Sequence, residues 1–183
     1  MVKPIELHTE RLLLRPFLLT DVDDVLGYAS NEEWGRYLPV PQPYTRRHAE
    51  EFVARAIEDW QGAIPTFATV LNGRVVGGIN LRVDSDNLLG ELGYSLAREY
   101  WGHGLTPEAA RVVIDWGFRV FDLAKVYARA DARNMRSWRV MEKLGMQREA
   151  LLRAQRLERG ERTDELWYGL LRGEWEAGKR RPS

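Results

Sequence analysis

Two hydrophobic periods alternate along this chain, and their order predicts its elements. The opening "ELHTERLLLRPF" carries apolar residues up to Pro16 and predicts a strand. Thr20, with Asp21 and Asp23, has the composition of a helix cap and an acidic first turn, so a short helix through Val22, Val25 and Leu26 should follow. "YLPVPQPY" contains three prolines and predicts an irregular loop. After it Thr45 is placed to cap a second helix, in which Ala49, Phe52, Val53, Ala56, Ile57 and Trp60 fall on one face of a period of about 3.6 residues.

The middle of the chain changes character. "TFATVLNGRVVGGINLRV" has two β-rich runs joined by Asn72-Gly73, a pair suited to a type I′ turn with positive φ at both positions. A further strand, "LLGELGYSLA", leads through a glycine-rich turn to a helix from Pro107 to Phe121, with Ala109, Val112, Val113, Trp116 and Val120 on one face. "KVYARAD" predicts a strand and "NMRSWRVMEKLG" a helix, with Val140, Met141 and Leu144 inward and Gly145 just past its end. Two final strands, "LLRAQRLE" and "ELWYGLLR", flank a turn around Gly160, and the charged tail 176–183 is expected to fray. The order is that of one mixed α+β domain spanning residues 1–183.

Composition narrows the function more by exclusion than by indication. With 183 residues, 44% of them hydrophobic, the chain suffices for one domain with a real core. Lys plus Arg and Asp plus Glu are 27 each, so net charge gives no reason to expect a nucleic acid or an anionic membrane as partner. The arginine-rich segment 148–162 and the "GKRR" tail are local exceptions, whose charge alone would suggest contacts to RNA phosphates. There is no cysteine, which removes disulfides, thiolate nucleophiles and thiolate metal sites together. His8, His48 and His103 are far apart and have no ligand spacing, so no metal is expected. No run approaches the ~20 apolar residues of a membrane helix, and a soluble, cytoplasmic protein is the expectation.

The turn before the Pro107 helix carries the main chemical hint. Glycines ahead of a helix start let the backbone approach an anion, and the first N–H groups of the helix point at it. Gly102, Gly104 and the residues up to Thr106 could form such a cradle for a phosphate or pyrophosphate, with Pro107 where its missing N–H costs nothing. The same glycines would equally serve a tight strand-to-helix corner holding no ligand. A P-loop requires Gly-Lys-[Ser/Thr] at its end, and a dinucleotide fingerprint requires a third glycine; Leu105-Thr106-Pro107 supplies neither.

Four strings in order, "TERLLLRPFLLTDVDDV", "ELGYSLAREYWGHGLTPEA", "ARNMRSWRVMEKLGMQREA" and "LWYGLLRGEW", resemble the GNAT superfamily of N-acetyltransferases, and within it the ribosomal-protein N-acetyltransferase branch. The resemblance implies a twisted, mixed and mostly antiparallel sheet flanked by about four helices and splayed between its fourth and fifth strands, with acetyl-CoA in the opening. It implies that Trp101, Gly102, His103, Gly104, Leu105 and Thr106 form the pyrophosphate loop, and that backbone groups of Ser95 and Leu96 bond the pantetheine arm. Where the superfamily often has Gln or Arg, three residues before the first glycine, this chain has Glu99, which should point away.

The resemblance also implies site roles. Asn134 and Ser137 match the Asn-x-x-Ser pattern of the branch, the Asn near the pantetheine or carbonyl region and the Ser hydroxyl near the sulfur, where it can protonate the departing thiolate. Asn134 as a plain helix N-cap with Ser137 in the first turn is a structural reading of the same residues, and both can hold at once. Glu91 matches a position where some members place a general-base glutamate; the bland alternative is a Glu paired with an arginine. Strand alternation puts Glu91, Gly93 and Ser95 on one face and Leu92, Tyr94 and Leu96 on the other, unless a bulge intervenes. A second base position used in the branch falls on Arg156 here, which leaves Glu91 or a water relay. Trp34 and Tyr37 lie in the region that shapes the acceptor site.

The expected activity is direct acetyl transfer from acetyl-CoA to a primary amine, without a covalent acyl-enzyme. The acceptor implied by the branch is a protein N-terminal α-amine. The alternatives are a small amine, such as a polyamine, an amino acid or an antibiotic, and a CoA-binding module without catalysis. Homodimers are common in the family.

Overall fold

A computed structural model describes residues 3–62 and 64–179. The opening strand is two: β1 (Leu7–His8) and β2 (Leu13–Pro16), separated by a turn in which the Thr9 amide donates to the Leu12 carbonyl at 2.9 Å. Next come α1 (Val22–Ala29), α2 (Glu32–Gly35), α3 (Arg46–Glu58), β3 (Thr66–Leu71), β4 (Arg74–Asp84) and β5 (Leu89–Leu96). The second half holds α4 (Leu105–Val120), β6 (Lys125–Asp131), α5 (Met135–Lys143), β7 (Gln147–Glu158), β8 (Glu161–Leu171) and α6 (Arg172–Lys179).

All eight strands join one sheet in the order β1-β2-β3-β4-β5-β6-β8-β7, antiparallel except for β5 against β6. Because the two-residue β1 precedes the strands expected from the sequence, the splay lies between the fifth and sixth strands of this chain. Six α-helices are present among the described residues, in approximate agreement with the expected count of about four. One face of the sheet carries α4, with Leu81, Leu92, Val113, Ile114 and Val126 in its core. The other carries α1 and α3, packed through Val25, Tyr28, Val53 and Ala56.

Turn chemistry sets the hairpins. Asn72 and Gly73 have φ of 51° and 79°, as the type I′ turn requires, and Arg159-Gly160 repeats this with 48° and 84°. That second turn is only two residues long, so β7 and β8 extend further than the sequence pattern predicts.

Several expectations are corrected. Thr20 is not the cap of the first helix; Asp21 is the local acceptor, taking the Leu18 amide at 2.8 Å and both terminal nitrogens of Arg15. α3 stops at Glu58, although Trp60 is buried in the 3₁₀ turn after it. α4 starts at Leu105, directly after Gly104, and its inner stripe is wider and rotated: Ala110, Ile114, Gly117 and Phe118 are buried while Val120 is half exposed. Residues 176–179 of the supposed tail are the end of α6. Trp175 anchors that helix, packing on Phe118 and donating its indole N–H to Asp115 at 3.2 Å, and Lys179 pairs with the same carboxylate. Residues 180–183 lie outside the described residues. Among the described residues no helix is long and apolar enough to cross a membrane.

Candidate active site

The parallel contact between β5 and β6 is short. It comprises Leu89–Lys125, Gly90–Val126 and Glu91–Tyr127, although β5 continues to Leu96 and β6 to Asp131. Beyond Glu91 the strands part, and Tyr94 reaches across the gap to α5. Its hydroxyl donates to the Ser137 carbonyl at 2.8 Å and lies 3.1 Å from Ser137 Oγ. Burial pushes the Tyr94 phenol well above its ordinary pKa, so it remains protonated around neutrality. Asn134 caps α5, its side-chain oxygen accepting the Ser137 amide at 3.2 Å. The β4–β5 register runs without a bulge, so the predicted alternation holds.

A cleft opens on each side of this junction. Trp34, Tyr37, Tyr94, Ser95, Asn134 and Ser137 line both. The first, of about 350 Å³, runs along the start of α4 and one face of α5. Gly102 and Gly104 have φ of 84° and 77°, a conformation other residues rarely adopt, and Gly104 delivers the chain straight into the helix. Amides in the first turn of α4 have no carbonyl to bond within the helix, and the dipole makes that end positive. Gly102, Gly104, Leu105 and Thr106 line the cleft; His103 is exposed and outside the lining, as is Glu99.

A clamp at the turn between β1 and β2 fixes this loop. Arg11 donates to the His103 carbonyl at 3.0 Å and to Glu108 through both its Nε, at 2.7 Å, and its backbone amide, at 3.0 Å. Burial would raise the Glu108 carboxyl, but the bonds from Thr9 and Arg11 outweigh it and hold the group below the usual carboxylate range. The Trp101 indole donates to the Leu96 carbonyl at 2.7 Å, so this backbone oxygen, expected to be available to a ligand, already has one partner. The Arg136 guanidinium lies 4.8 Å from the Trp101 ring centre. Arg136, Arg139 and Lys143 all line this cleft. The sequence reading overlooked them, though their spacing of three to four residues was a visible signal.

The second cleft, of about 380 Å³, lies on the α1–α3 side and contains Glu91. The Glu91 carboxylate accepts from Arg129 Nε at 2.7 Å, with the Tyr127 hydroxyl at 3.4 Å and Arg82 at 3.9 Å. Its contacts are thus those of the paired glutamate, at a position that also faces the cleft. Behind it Glu165 is 0% exposed, between Arg129 at 3.7 Å and Arg156 at 3.4 Å. Asp131, the other carboxylate in the lining, is held by Arg133 at 2.8 Å. Arg156 itself bonds Glu158 at 2.9 Å, so it supports this wall rather than offering a base.

Trp34 and Tyr37 come from α2 and the loop after it and line both clefts. That loop is fastened from the far end of the chain. Arg159, at the β7–β8 turn, donates to the carbonyls of Gly35 at 2.8 Å, Arg36 at 2.9 Å and Leu38 at 3.2 Å.

A profile of the acetyltransferase (GNAT) domain matches residues 11–147, which contain the glycine turn, the splay and the Asn134–Ser137 helix start. The chain belongs to the GNAT acetyltransferase family. It is an acyltransferase of the N-acetyltransferase kind. The uncharacterized N-acetyltransferase p20 of Bacillus licheniformis is 31% identical over 175 residues, covering 92% of this chain and 97% of p20. YdaF of Bacillus subtilis, named as a candidate ribosomal N-acetyltransferase, is 33% identical over 59% of this chain and 60% of its own. Among solved structures, a GNAT-family acetyltransferase from Bacillus anthracis superposes with a TM-score of 0.82 at 28% identity, covering 91% of this chain and 98% of that one.

Proposed function

We propose that this GNAT protein transfers the acetyl group of acetyl-CoA to a primary α-amine, with a protein N-terminus as the acceptor class. The observation that carries this reading is the meeting of two unlike clefts at the Tyr94–Ser137 hydroxyl pair. The first cleft suits the cofactor: a glycine turn feeding a helix start, with Arg136, Arg139 and Lys143 beside it, fits a group bearing several phosphates. The edge of β5 beyond Glu91 fits an extended arm with amide groups.

Acetyl-CoA supplies the activated thioester; this chain supplies binding, orientation and proton traffic. An α-amine with pKa ~8 is neutral in roughly a tenth of molecules at neutral pH, far more than a lysine side chain with pKa ~10.4. Glu91, on the acceptor side, takes the proton that the amine loses, directly or through a water, as its nitrogen bonds to the acetyl carbonyl carbon. The Ser137–Tyr94 pair returns a proton to the sulfur as the C–S bond breaks. Asn134 fixes the Ser137 end of α5.

A small amine is the second reading, favoured by the loop that Arg159 fastens over the acceptor cleft. Calorimetric titration with acetyl-CoA, against ADP and desulfo-CoA, tests the cofactor half. Saturable binding, weaker for ADP, is expected; absence of binding to folded protein would remove the transferase reading. CoA release with short peptides and with small amines then separates the acceptor classes.

A further inference from the structure

The walls of the acceptor-side cleft differ sharply. Towards β4, β5 and β6 it is charged, with Arg82, Glu91 and Arg129; towards α1, α2 and α3 it is formed by Val25, Tyr28, Trp34, Leu38, Tyr44 and Phe52. The aromatic wall is internally packed. Trp34 lies 5.4 Å from Tyr28 and 5.8 Å from Tyr44 between ring centres. Tyr28, Trp34 and Val25 are buried, while Leu38, Tyr44 and Phe52 pack on them from a half-buried rim. The carbonyl bonds of Arg159 hold Leu38 and the end of α2 in place over this wall.

Resting on the transferase reading, we propose that this wall is the specificity pocket for the acceptor, taking an aromatic or large aliphatic group on the carbon that bears the amine. Three observations converge on that class. With Glu91 engaged at the reacting amine, the other carboxylate of the lining, Asp131, is already bonded to Arg133, so the further cations of a polyamine find no unpaired carboxylate there among the described residues. The cleft of about 380 Å³ has room for a side chain beside the amine, and its wall offers that side chain aromatic faces and edges. The Trp34 indole N–H is buried without a partner among the described residues, and a carbonyl next to the amine-bearing carbon would supply one. The favoured acceptor is thus an α-amino amide, such as the first residue of a peptide, with a bulky apolar side chain.

The test is steady-state acetylation of phenylalaninamide, leucinamide, alaninamide, glycinamide and spermidine at saturating acetyl-CoA, in a preparation whose acetyl-CoA binding has been measured by calorimetry. Phenylalaninamide and leucinamide should exceed alaninamide in kcat/KM by roughly tenfold or more, mostly through KM, with spermidine below all four amides. Phe52→Trp, which fills the pocket, should collapse the preference. Should that variant fail to fold, Arg159→Met, which substitutes no lining residue but frees the loop that carries Leu38, should shrink the same ratio. Equal kcat/KM across the amides, a preference for spermidine, or turnover of none by protein that binds acetyl-CoA would overturn the pocket while leaving the cofactor site standing. Failure to bind acetyl-CoA would instead remove the reading beneath it.

Discussion

The first cleft joins a backbone cradle to a rim of cationic side chains, Arg136, Arg139 and Lys143, whereas the second is built from side chains throughout. On the α4 side the central chemistry lies in main-chain amides, two glycines at positive φ and a β5 edge without a strand beside it, with the cations of α5 at its margin. On the α1–α3 side it lies in Glu91 and its arginines, opposite an aromatic wall. A site built from amides tolerates much sequence change, because any residue supplies an N–H, whereas a site built from side chains is rewritten by single substitutions. A fold so arranged can keep one cofactor and exchange acceptors, and resemblance therefore says more about the first cleft than about the second.

Substitutions confined to one cleft sharpen that contrast. The largest effect is expected from Glu91→Gln, which should lower kcat by about 10²-fold while leaving the acetyl-CoA Kd unchanged by calorimetry. The deficit should narrow as pH rises above ~8, where an α-amine becomes mostly neutral without help. A matching loss of acetyl-CoA binding would break the division between the clefts. Gly104→Val comes next: a β-branched residue at φ 77° cannot hold the turn, so the acetyl-CoA Kd should rise about tenfold. The acceptor KM of that variant should stay near its original value.

Smallest is Glu108→Gln, which loosens the Arg11 clamp behind the first cleft at a cost of about 1 kcal/mol in denaturant unfolding at neutral pH. Because the folded state holds this carboxyl below its ordinary range, its contribution is fully present above the unfolded pKa of ~4.3 and is lost as pH falls through the lower folded value. The variant's stability should accordingly fall less steeply on acidification than that of the parent chain.

What the sequence makes legible follows the range of the interaction. Asn72-Gly73 carries its own turn geometry, and Asn134 caps a helix three residues from its partner, so both are readable locally. The start of α4 is readable to within two residues, because Gly104 rather than Pro107 opens it. The fastening of Gly35, Arg36 and Leu38 by Arg159 joins segments more than 120 residues apart, and no period or spacing announces it. The same holds for Glu165, whose strand position reads as ordinary although its carboxylate lies fully buried between two arginines. Tyr94 illustrates a third limit: alternation groups it with Leu92 and Leu96 as core, and only the fold brings its hydroxyl to Ser137. That residues 176–179 belong to a helix is hidden for lack of a visible anchor, since the partners of Trp175 are on α4.

The three-pair seam between β5 and β6 has a final consequence. Beyond Glu91, β5 is an edge strand in the middle of a sheet. Exposed edges invite other chains to add a strand, and proteins ordinarily blunt them with charges, prolines or bulges. Here the edge faces into the gap between the two halves of the sheet, with the start of α4 and one face of α5 on one side and the Arg159-fastened loop on the other, standing where the side chains of an added strand would go. The molecule keeps the pairing capacity of an open edge without the aggregation hazard that accompanies one.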